Sequence, residues 1–412
     1  MKSILYSFRR GAWLIKIRGM TVAVAASAVG SLALHSAYAA ADTPAAAAPK
    51  GANLWSPPAQ VGPDAKPGDI FWMQQRADAP VGSTGWNVIY VSEVTPGQLK
   101  YVSGEIYAPS SKVAEPRDVV LWNHPTAGNA DSCAPSRREL KTPTGASRVP
   151  AIEELLSKGY VVAMSDYPGL GLPGPTYYMA GEPNARASLD VLKAVQNVPE
   201  LNASKRYVMY GWSQGGQTTL WAGSIAKSYA PGFSPLGSAL IAPAGRILDL
   251  TLNSMRSTTL AGYVIATLPG IHSLFPTLKY GDFLTTEGLE QFPAIADGCF
   301  DVFATAAKVK APYQKKALVP GSPWFTALQK VDSFTSVADI PVLIFQGTVD
   351  EDTPVKLTSR LRTDLCVSGA KVDYRQFQGL DHRTVVPEAA AVLPGWIESR
   401  FKGDSPASNC GS

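Results

Sequence analysis

The chain has 412 residues, of which 45% are hydrophobic and 17% charged, with 36 Gly and 33 Pro. This size and composition fit one large α/β domain that carries an insertion, or two domains. The formal net charge is +4, but residues 1–39 hold five of the 37 Lys and Arg and no Asp or Glu, so residues 40–412 have a net charge of −1. The chain therefore has no basic surplus that would indicate nucleic acid or an anionic membrane as a partner.

Residues 1–39 have the parts of a bacterial export signal. Basic residues precede an apolar run at 20–34, and Ala37, Tyr38 and Ala39 form a small-x-small cleavage site. Because the run is short and a cleavage site follows it, we expect a secreted or periplasmic protein rather than one with a retained membrane anchor. Residues 40–66 are then predicted to be a spacer and N-terminal segment.

All four cysteines follow the predicted signal: Cys133, Cys299, Cys366 and Cys410. An even number in an oxidising compartment predicts two disulfides, and the sequence leaves three connectivities open. A metal site is the competing interpretation. It is disfavoured because no two cysteines have Cys-x-x-Cys spacing and the chain has only four His, so we expect neither a metal nor another cofactor.

In chain order, the first predicted elements are two β-rich runs at 86–94 and 99–107, joined by a Thr-Pro-Gly-Gln turn. The next are a strand at 118–123, a helix at 151–158, a strand at 160–165, a helix at 184–195, a strand and its closing turn at 206–213, and a strand at 238–242. The last are a strand at 341–345, a helix at 356–366, a strand at 371–377 and a helix at 385–401. This alternation predicts an α/β fold with a mostly parallel central sheet flanked by helices, and with the hairpin as antiparallel edge strands.

Residues 243–340 interrupt this alternation, because they contain apolar helix-like pieces without a clear strand. We interpret them as an inserted helical cap or lid between a first core part at 67–242 and a second at 341–412. Residues 260–278 are apolar enough to suggest a membrane helix, but Pro269, Gly270, His272 and Pro276 are expected to break it. A helical hairpin is the favoured interpretation.

A nucleophile elbow is predicted where the strand at 206–213 ends. Gly211, Ser213 and Gly215 form Gly-x-Ser-x-Gly between an apolar run and a helix-compatible run. In such a turn the glycines let strand and helix approach closely, and the serine hydroxyl projects beside a helix N-terminus. The alternative is an ordinary strand-to-helix turn with a capping serine, but the flanking strand and helix favour the elbow.

A serine hydroxyl needs a base that takes its proton and a carboxylate that orients the base. Of the four histidines, His35 lies in the export signal, His272 in the predicted cap, and His124 precedes Ser213 in a strand-end loop. His382 follows the last predicted strand and an acid, in the chain order that an elbow enzyme requires. We therefore interpret His382 as the base rather than as a surface loop residue.

Three acids compete for the third position, because Asp350, Glu351 and Asp352 all follow the strand at 341–345. Asp350 is favoured, since a Gly-x-x-Asp turn places it directly after that strand. Asp352 is then predicted to cap the following helix. Asp381 is disfavoured because it is adjacent to His382 and neighbouring side chains usually diverge.

The oxyanion of an acyl-transfer reaction needs hydrogen-bond donors, and the backbone N–H of Gln214 is the first candidate. The second is expected from the loop at 124–128, after the first predicted parallel strand. Pro125 has no N–H, so the donor is Thr126 or Ala127. His124 is expected to brace this loop rather than to react.

Four segments of the chain resemble the secreted lipases of the α/β-hydrolase superfamily, fungal lipase A-type enzymes with bacterial relatives. The segments are Trp-Asn-His-Pro-Thr-Ala-Gly at 122–128, Asp-Tyr-Pro-Gly-Leu-Gly at 166–171, Gly-Trp-Ser-Gln-Gly-Gly at 211–216 and Gly-Thr-Val-Asp at 347–350. The resemblance extends over about residues 67–401. At Pro125 the chain departs from the family, which commonly has Gly after the His.

This resemblance implies the α/β-hydrolase fold with a helical cap between the sixth and seventh sheet strands. It also implies hydrolysis of lipid or short acyl esters, and the disulfide pairs Cys133 with Cys299 and Cys366 with Cys410. We therefore expect a secreted serine carboxylic-ester hydrolase that acts through an acyl-enzyme on Ser213, without a cofactor. The alternatives are a peptidase or an acyltransferase on the same fold, or a non-catalytic binding protein.

Overall fold

The structure is a computed structural model and describes residues 55–140, 149–332, 337 and 339–411. The predicted export signal and most of the predicted spacer lie outside these residues. The described residues belong to one compact unit.

Within the described residues, nine strands form one sheet in the order β1-β2-β3-β5-β4-β6-β7-β8-β9. The strands are β1 Ile70–Gln75, β2 Ser83–Thr95, β3 Gln98–Pro109, β4 Arg117–Asn123, β5 Val161–Ser165, β6 Ala203–Trp212, β7 Ser234–Ile241, β8 Val342–Gly347 and β9 Val372–Phe377. Strands β1 to β3 and the contact of β3 with β5 are antiparallel, and the remaining pairs are parallel. The predicted mostly parallel sheet with antiparallel edge strands is confirmed, and β1 is an edge strand that the sequence pattern did not indicate.

The helices that accompany the sheet are α1 Ile152–Ser157, α2 Gly181–Gln196, α3 Gln214–Tyr229, α4 Ile247–Ser254, α5 Ala261–Leu274, α6 Thr286–Ala296, α7 Pro323–Val331, α8 Val355–Val367 and α9 Val385–Lys402. Helices α2 and α3 cover one face of the sheet, and α1 and α9 cover the other. Both faces must be covered because alternate side chains of an apolar strand, such as β4, point to opposite faces of the sheet. Val119 and Leu121 pack on the α2 side, while Val120 and Trp122 pack on the α1 side.

Between β7 and β8 the described residues form four helices, α4 to α7, with short 3-10 helices at Tyr280–Asp282 and Phe300–Lys308. We refer to the described residues within 243–340 as the helical segment. Its apolar side chains form a cluster of their own, to which Tyr178 and Met179 from the loop before α2 also belong. The segment therefore packs on the protein near the ends of the parallel strands.

Helix α5 passes through Pro269, Gly270 and His272 and ends at Leu274, before Pro276. The expected interruption of residues 260–278 therefore occurs near Pro276, and the expectation that the other three residues break the helix was wrong. The hydroxyl of Ser273 donates a hydrogen bond to the carbonyl of Pro269 at 2.9 Å, and a Cβ on Gly270 would lie 2.0 Å from the carbonyl oxygen of Tyr178. Gly270 thus lets α5 pack closely on the neighbouring loop. In the part of the chain that the structure describes, no helix is long and apolar enough to cross a membrane.

Candidate active site

Ser213 lies at a sharp turn between the end of β6 and the start of α3. Its backbone has φ +57° and ψ −116°, a conformation that is strained for a residue with a side chain. The turn is fixed by a hydrogen bond from the Ser213 N–H to the carbonyl of Ile241 at 2.9 Å. The Ser213 hydroxyl makes no capping bond to α3, so it is free for another role.

The two glycines of the motif are required by close packing. A Cβ on Gly211 would lie 2.2 Å from the carbonyl oxygen of Gly215, and a Cβ on Gly215 would lie 1.8 Å from that of Asn123. Both contacts are with backbone atoms, which cannot move aside as a side chain can. The glycines therefore hold β6, α3 and the end of β4 together around Ser213.

His382 and Asp350 form a buried pair. The Nδ1 of His382 lies 2.9 Å from an oxygen of Asp350, and the two residues are 7% and 5% exposed. The carboxylate also accepts hydrogen bonds from the N–H of Thr353 at 2.7 Å and from its hydroxyl at 2.9 Å. Donors on several sides thus fix the orientation of Asp350 toward the imidazole.

Gln346, at the end of β8, is a supporting residue that sequence reasoning missed. Its amide donates to Asp350 at 3.1 Å and to the carbonyl of Thr353 at 3.0 Å, while its own oxygen accepts from Thr358 at 2.7 Å. The signal in the sequence was a polar residue at the end of an otherwise apolar strand. Such a buried amide is expected to be fully hydrogen-bonded.

The other acids near the pair have different surroundings. Glu351 is exposed, and the adjacent Asp352 lines a cavity. The prediction that Asp352 caps α8 was wrong, because α8 begins at Val355 with Pro354 in the capping position and without a side-chain cap. Asp381 lies just before α9 and accepts hydrogen bonds from the N–H groups of Thr384 and Arg383. These hydrogen bonds lower the pKa of Asp381.

The loop after β4 carries the predicted second oxyanion donor. The hydroxyls of Thr126 and Tyr178 are 2.9 Å apart, and Thr126 lines both cavities described below. Ala127 lines only the wider one, and its carbonyl accepts a hydrogen bond from the N–H of Phe300 at 3.0 Å. On the other side of Ser213, Gln214 is the first residue of α3, so its N–H belongs to the helix N-terminus.

His124 is buried in this loop and braces it. Its ring stacks on Tyr167 at 4.2 Å, and its nitrogens lie 2.7 Å from the carbonyl of Pro125 and 3.2 Å from that of Asp166. Burial lowers the pKa of His124. The Asp-Tyr-Pro-Gly-Leu-Gly segment that begins at Asp166 therefore stabilises the loop that carries Thr126, through its contacts with His124.

Two disulfides join the four cysteines, in the pairs that the resemblance implies. Cys133 is bonded to Cys299 and Cys366 to Cys410. The first attaches the loop after β4 to the helical segment. A backbone bridge between Gly128 and Cys299 and a hydrogen bond from the N–H of Asn129 to the carbonyl of Gly298 reinforce this attachment.

Ser213 and His382 line two cavities that meet at these two residues. The wide cavity has about 430 Å³ and includes Trp212, Arg138 and Phe300 in its wall. The narrow cavity has about 50 Å³ and is bounded mainly by α4, α5 and the Asp352 loop. Thr126 and Tyr263 lie at the junction, because they line both. An ester bond at Ser213 could therefore direct its two ends into different spaces.

Trp212, the residue before Ser213, supports the loop of the histidine. Its indole N–H donates to the carbonyl of His382 at 3.1 Å, and the two rings lie 5.5 Å apart. In the described residues, no cluster of three or more His, Cys, Asp or Glu could hold a metal ion.

The chain is 27% identical over 317 residues to the secreted triacylglycerol lipase LIP4 of Malassezia globosa. The aligned region covers 72% of this chain and 68% of that protein. It is 25% identical over 394 residues to lipase 2 of Candida albicans, and the aligned region covers 87% of this chain and 82% of that protein.

The structure is similar to that of Candida antarctica lipase A in its closed state, with a TM-score of 0.71, 20% identity and coverage of 84% and 85% of the two chains. The rice cell wall degrading esterase LipA from Xanthomonas oryzae gives a TM-score of 0.66 at 19% identity, with 82% and 98% covered. A family model for secretory lipases matches residues 137–409. The chain therefore belongs to the secretory lipase family and is a carboxylic ester hydrolase with the α/β-hydrolase fold.

Proposed function

We propose that the chain is an exported serine esterase or lipase that cleaves esters through an acyl-enzyme on Ser213. The observation that carries the proposal is the buried His382–Asp350 pair, 2.9 Å apart, whose histidine lines the same cavities as Ser213 on its strained turn. Nucleophile, base and orienting acid are then supplied by three loops at the ends of β6, β8 and β9.

In the first step, the imidazole of His382 takes the proton of Ser213 while the hydroxyl oxygen attacks the ester carbonyl. Asp350 holds the imidazole in the required tautomer and stabilises the imidazolium. His382 then gives the proton to the leaving alcohol as the C–O bond breaks. In the second step water replaces the serine as nucleophile, and its attack on the acyl-enzyme releases the acid.

The negative oxygen of each tetrahedral intermediate needs donors beside Ser213. We assign this role to the N–H of Gln214 at the start of α3 and to Thr126 across the cavity, with Ala127 as the alternative for the second donor. The Tyr178 hydroxyl supports this assignment, because its contact with the Thr126 hydroxyl at 2.9 Å restricts the side chain. Donors held in place before the reaction need no reorganisation as charge develops.

Lipids or short acyl esters are the proposed substrates, since relatives are described as triacylglycerol lipases and a structural neighbour as an esterase. We also propose that residues 243–340 act as a cap over the core parts 67–242 and 341–412, because α4 and α5 form a wall of the narrow cavity. Secretion or periplasmic export agrees with the secreted relatives and the two disulfides.

The first test replaces the nucleophile. Ser213→Ala should abolish hydrolysis of p-nitrophenyl butyrate, because it removes the hydroxyl that forms the acyl-enzyme. The matched control is Ser228→Ala, which removes an exposed hydroxyl from the same helix, α3. Release of p-nitrophenol is followed by absorbance, and circular dichroism shows whether both variants fold. A folded Ser213→Ala variant with wild-type turnover would disprove the acyl-enzyme proposal.

A fluorophosphonate probe separates the enzyme from a binding protein with the same fold. The probe should label wild type and Ser228→Ala but not Ser213→Ala. Peptide cleavage or acyl transfer to an added alcohol, in place of ester hydrolysis, would instead favour a peptidase or an acyltransferase.

A further inference from the structure

The narrow cavity beside Ser213 has mostly apolar walls but contains polar side chains. Its apolar surface comes from Met179, Ile247, Leu250, Leu260 and Val264. A cavity with only such walls would suit an aliphatic chain. The polar side chains therefore determine whether the cavity also binds a polar ligand group.

Most of these polar groups are already satisfied within the protein. Thr251 and Thr267 donate to backbone carbonyls of their own helices at 2.7 and 2.9 Å. The hydroxyls of Thr126 and Tyr178 contact each other, and the Thr353 hydroxyl donates to Asp350. Thr251, Thr267 and Thr353 therefore use their hydroxyl hydrogens within the protein, and Thr126 is assigned to the oxyanion.

Two polar side chains in the cavity wall have no such partner. Among the described residues, neither the half-buried Asp352 carboxylate nor the buried Ser254 hydroxyl makes a side-chain hydrogen bond or an ion pair, and both line the cavity. Ser254 is only 5% exposed, so water reaches it poorly from outside the cavity. Burial and the charge of Asp352 both raise the pKa of Tyr178 and of Tyr263, which places the carboxylate near these two cavity residues.

An aliphatic group in this cavity would remove water from both groups without replacing its hydrogen bonds. Loss of water from a polar group without a replacement hydrogen bond is unfavourable, and more so for a charged group. A hydroxyl on the substrate avoids this cost, because it can donate to the carboxylate and also exchange a hydrogen bond with a serine.

We propose that the narrow cavity binds a hydroxyl-bearing part of the ester, whose O–H donates to Asp352 and is contacted by Ser254. The inference rests on the proposed function, since it concerns the specificity of the site at Ser213. Asp352 thus selects substrates and takes no part in proton transfer. The hydroxyl belongs either to the acyl group or to the alcohol, and two pairs of substrates distinguish these sources.

Each pair differs only by exchange of a methyl group for a hydroxyl. Ethyl 3-methylbutyrate and ethyl 3-hydroxybutyrate test the acyl side, while propyl butyrate and 2-hydroxyethyl butyrate test the alcohol side. The value of kcat/KM is measured for each ester by titrating the released acid at constant pH. Wild type should prefer the hydroxylated member of one pair by about tenfold or more.

Asp352→Leu should remove or reverse this preference, and Asp352→Asn should keep part of it because the amide oxygen still accepts a hydrogen bond. Ser254→Ala should reduce it by a smaller factor. The matched control is Glu351→Leu, which changes the exposed neighbour and should leave the ratio as in wild type. Fluorophosphonate labelling of each variant shows that the site at Ser213 is intact.

Wild type that prefers the methyl member of both pairs, or that shows no preference in either pair, would overturn the proposal. Equal loss by Asp352→Leu on both members of the preferred pair would overturn it as well. These outcomes differ from failure of the proposed function, in which wild type would hydrolyse none of the four esters or Ser213→Ala would retain activity.

Discussion

At the scale of single residues, the question is which carboxylate orients the proposed base. Asp350 is buried, contacts the imidazole of His382, and is held by the amide of Gln346 and by Thr353. Glu351 follows it directly in sequence but is exposed. Adjacent residues of one loop thus have different roles because one side chain turns inward and the next outward.

Replacement of Asp350 measures this difference. Asp350→Asn should reduce kcat by about 10⁴, because an amide favours the wrong imidazole tautomer and cannot stabilise an imidazolium. Glu351→Gln makes the same chemical change one residue later and should keep kcat near wild type. Initial rates on p-nitrophenyl butyrate at saturating substrate provide the measurement. Equal losses in the two variants would contradict the role given to Asp350.

The candidate nucleophile and base could be predicted from the sequence because the pattern left few choices. Ser213 lies in a motif with a strand before it and a helix after it, and His382 is the histidine whose position in the chain fits. Gln346 and Asp352 could not be assigned in the same way. Their roles depend on where a side chain points after the loop at 347–354 has folded, and local spacing does not determine this.

At the scale of elements, the loop after β4 is held by its attachment to the helical segment. The disulfide between Cys133 and Cys299 closes a span of 166 residues, whereas that between Cys366 and Cys410 closes 44. The chain-entropy relation gives about 5 and about 4 kcal/mol for the two. They should therefore contribute similarly to stability but differently to catalysis.

Paired serine substitutions test this expectation. Cys133→Ser with Cys299→Ser should lower Tm and also reduce kcat/KM by about tenfold or more, because Thr126 loses its fixed position. Cys366→Ser with Cys410→Ser should lower Tm by a comparable amount and keep kcat/KM near wild type, since neither residue lines the two cavities. Rates are compared well below both melting temperatures. An equal loss of kcat/KM in both variants would show that the effect is general instability.

The elements of the sheet were easier to predict than those of the helical segment. Buried parallel strands are short apolar runs bounded by turn residues, so their positions follow from local sequence. The course of α5 through Pro269 follows instead from packing, because Gly270 rests on the backbone of Tyr178, a residue far away in the chain. Such a contact is not visible in a local pattern.

At the scale of the whole molecule, the apolar side chains are divided among several clusters. Two large clusters lie on the two faces of the sheet, and a third lies mainly within the helical segment. A segment with its own cluster can separate from the sheet while most of the sheet core stays covered. Opening of this kind would widen access to Ser213 without global unfolding.

Hydrogen exchange followed by mass spectrometry measures this opening. Amides of α5 to α7 should exchange with a lower free energy of opening than those of β4 and β6, because less apolar surface is exposed when the segment separates. Helix α9 is the internal control, since it packs directly on the sheet and should be protected like the strands. Exchange of α5 to α7 together with the sheet, in one cooperative event, would contradict independent opening.

The contact of Trp212 with His382 has an optical consequence. Protonated imidazole quenches the fluorescence of a nearby indole by accepting an electron from its excited state, and the two rings lie 5.5 Å apart. The indole also donates a hydrogen bond to the histidine carbonyl at 3.1 Å, which favours this arrangement of the two rings. The emission of Trp212 therefore depends on the charge of the proposed base, and the chain contains its own spectroscopic reporter of that charge.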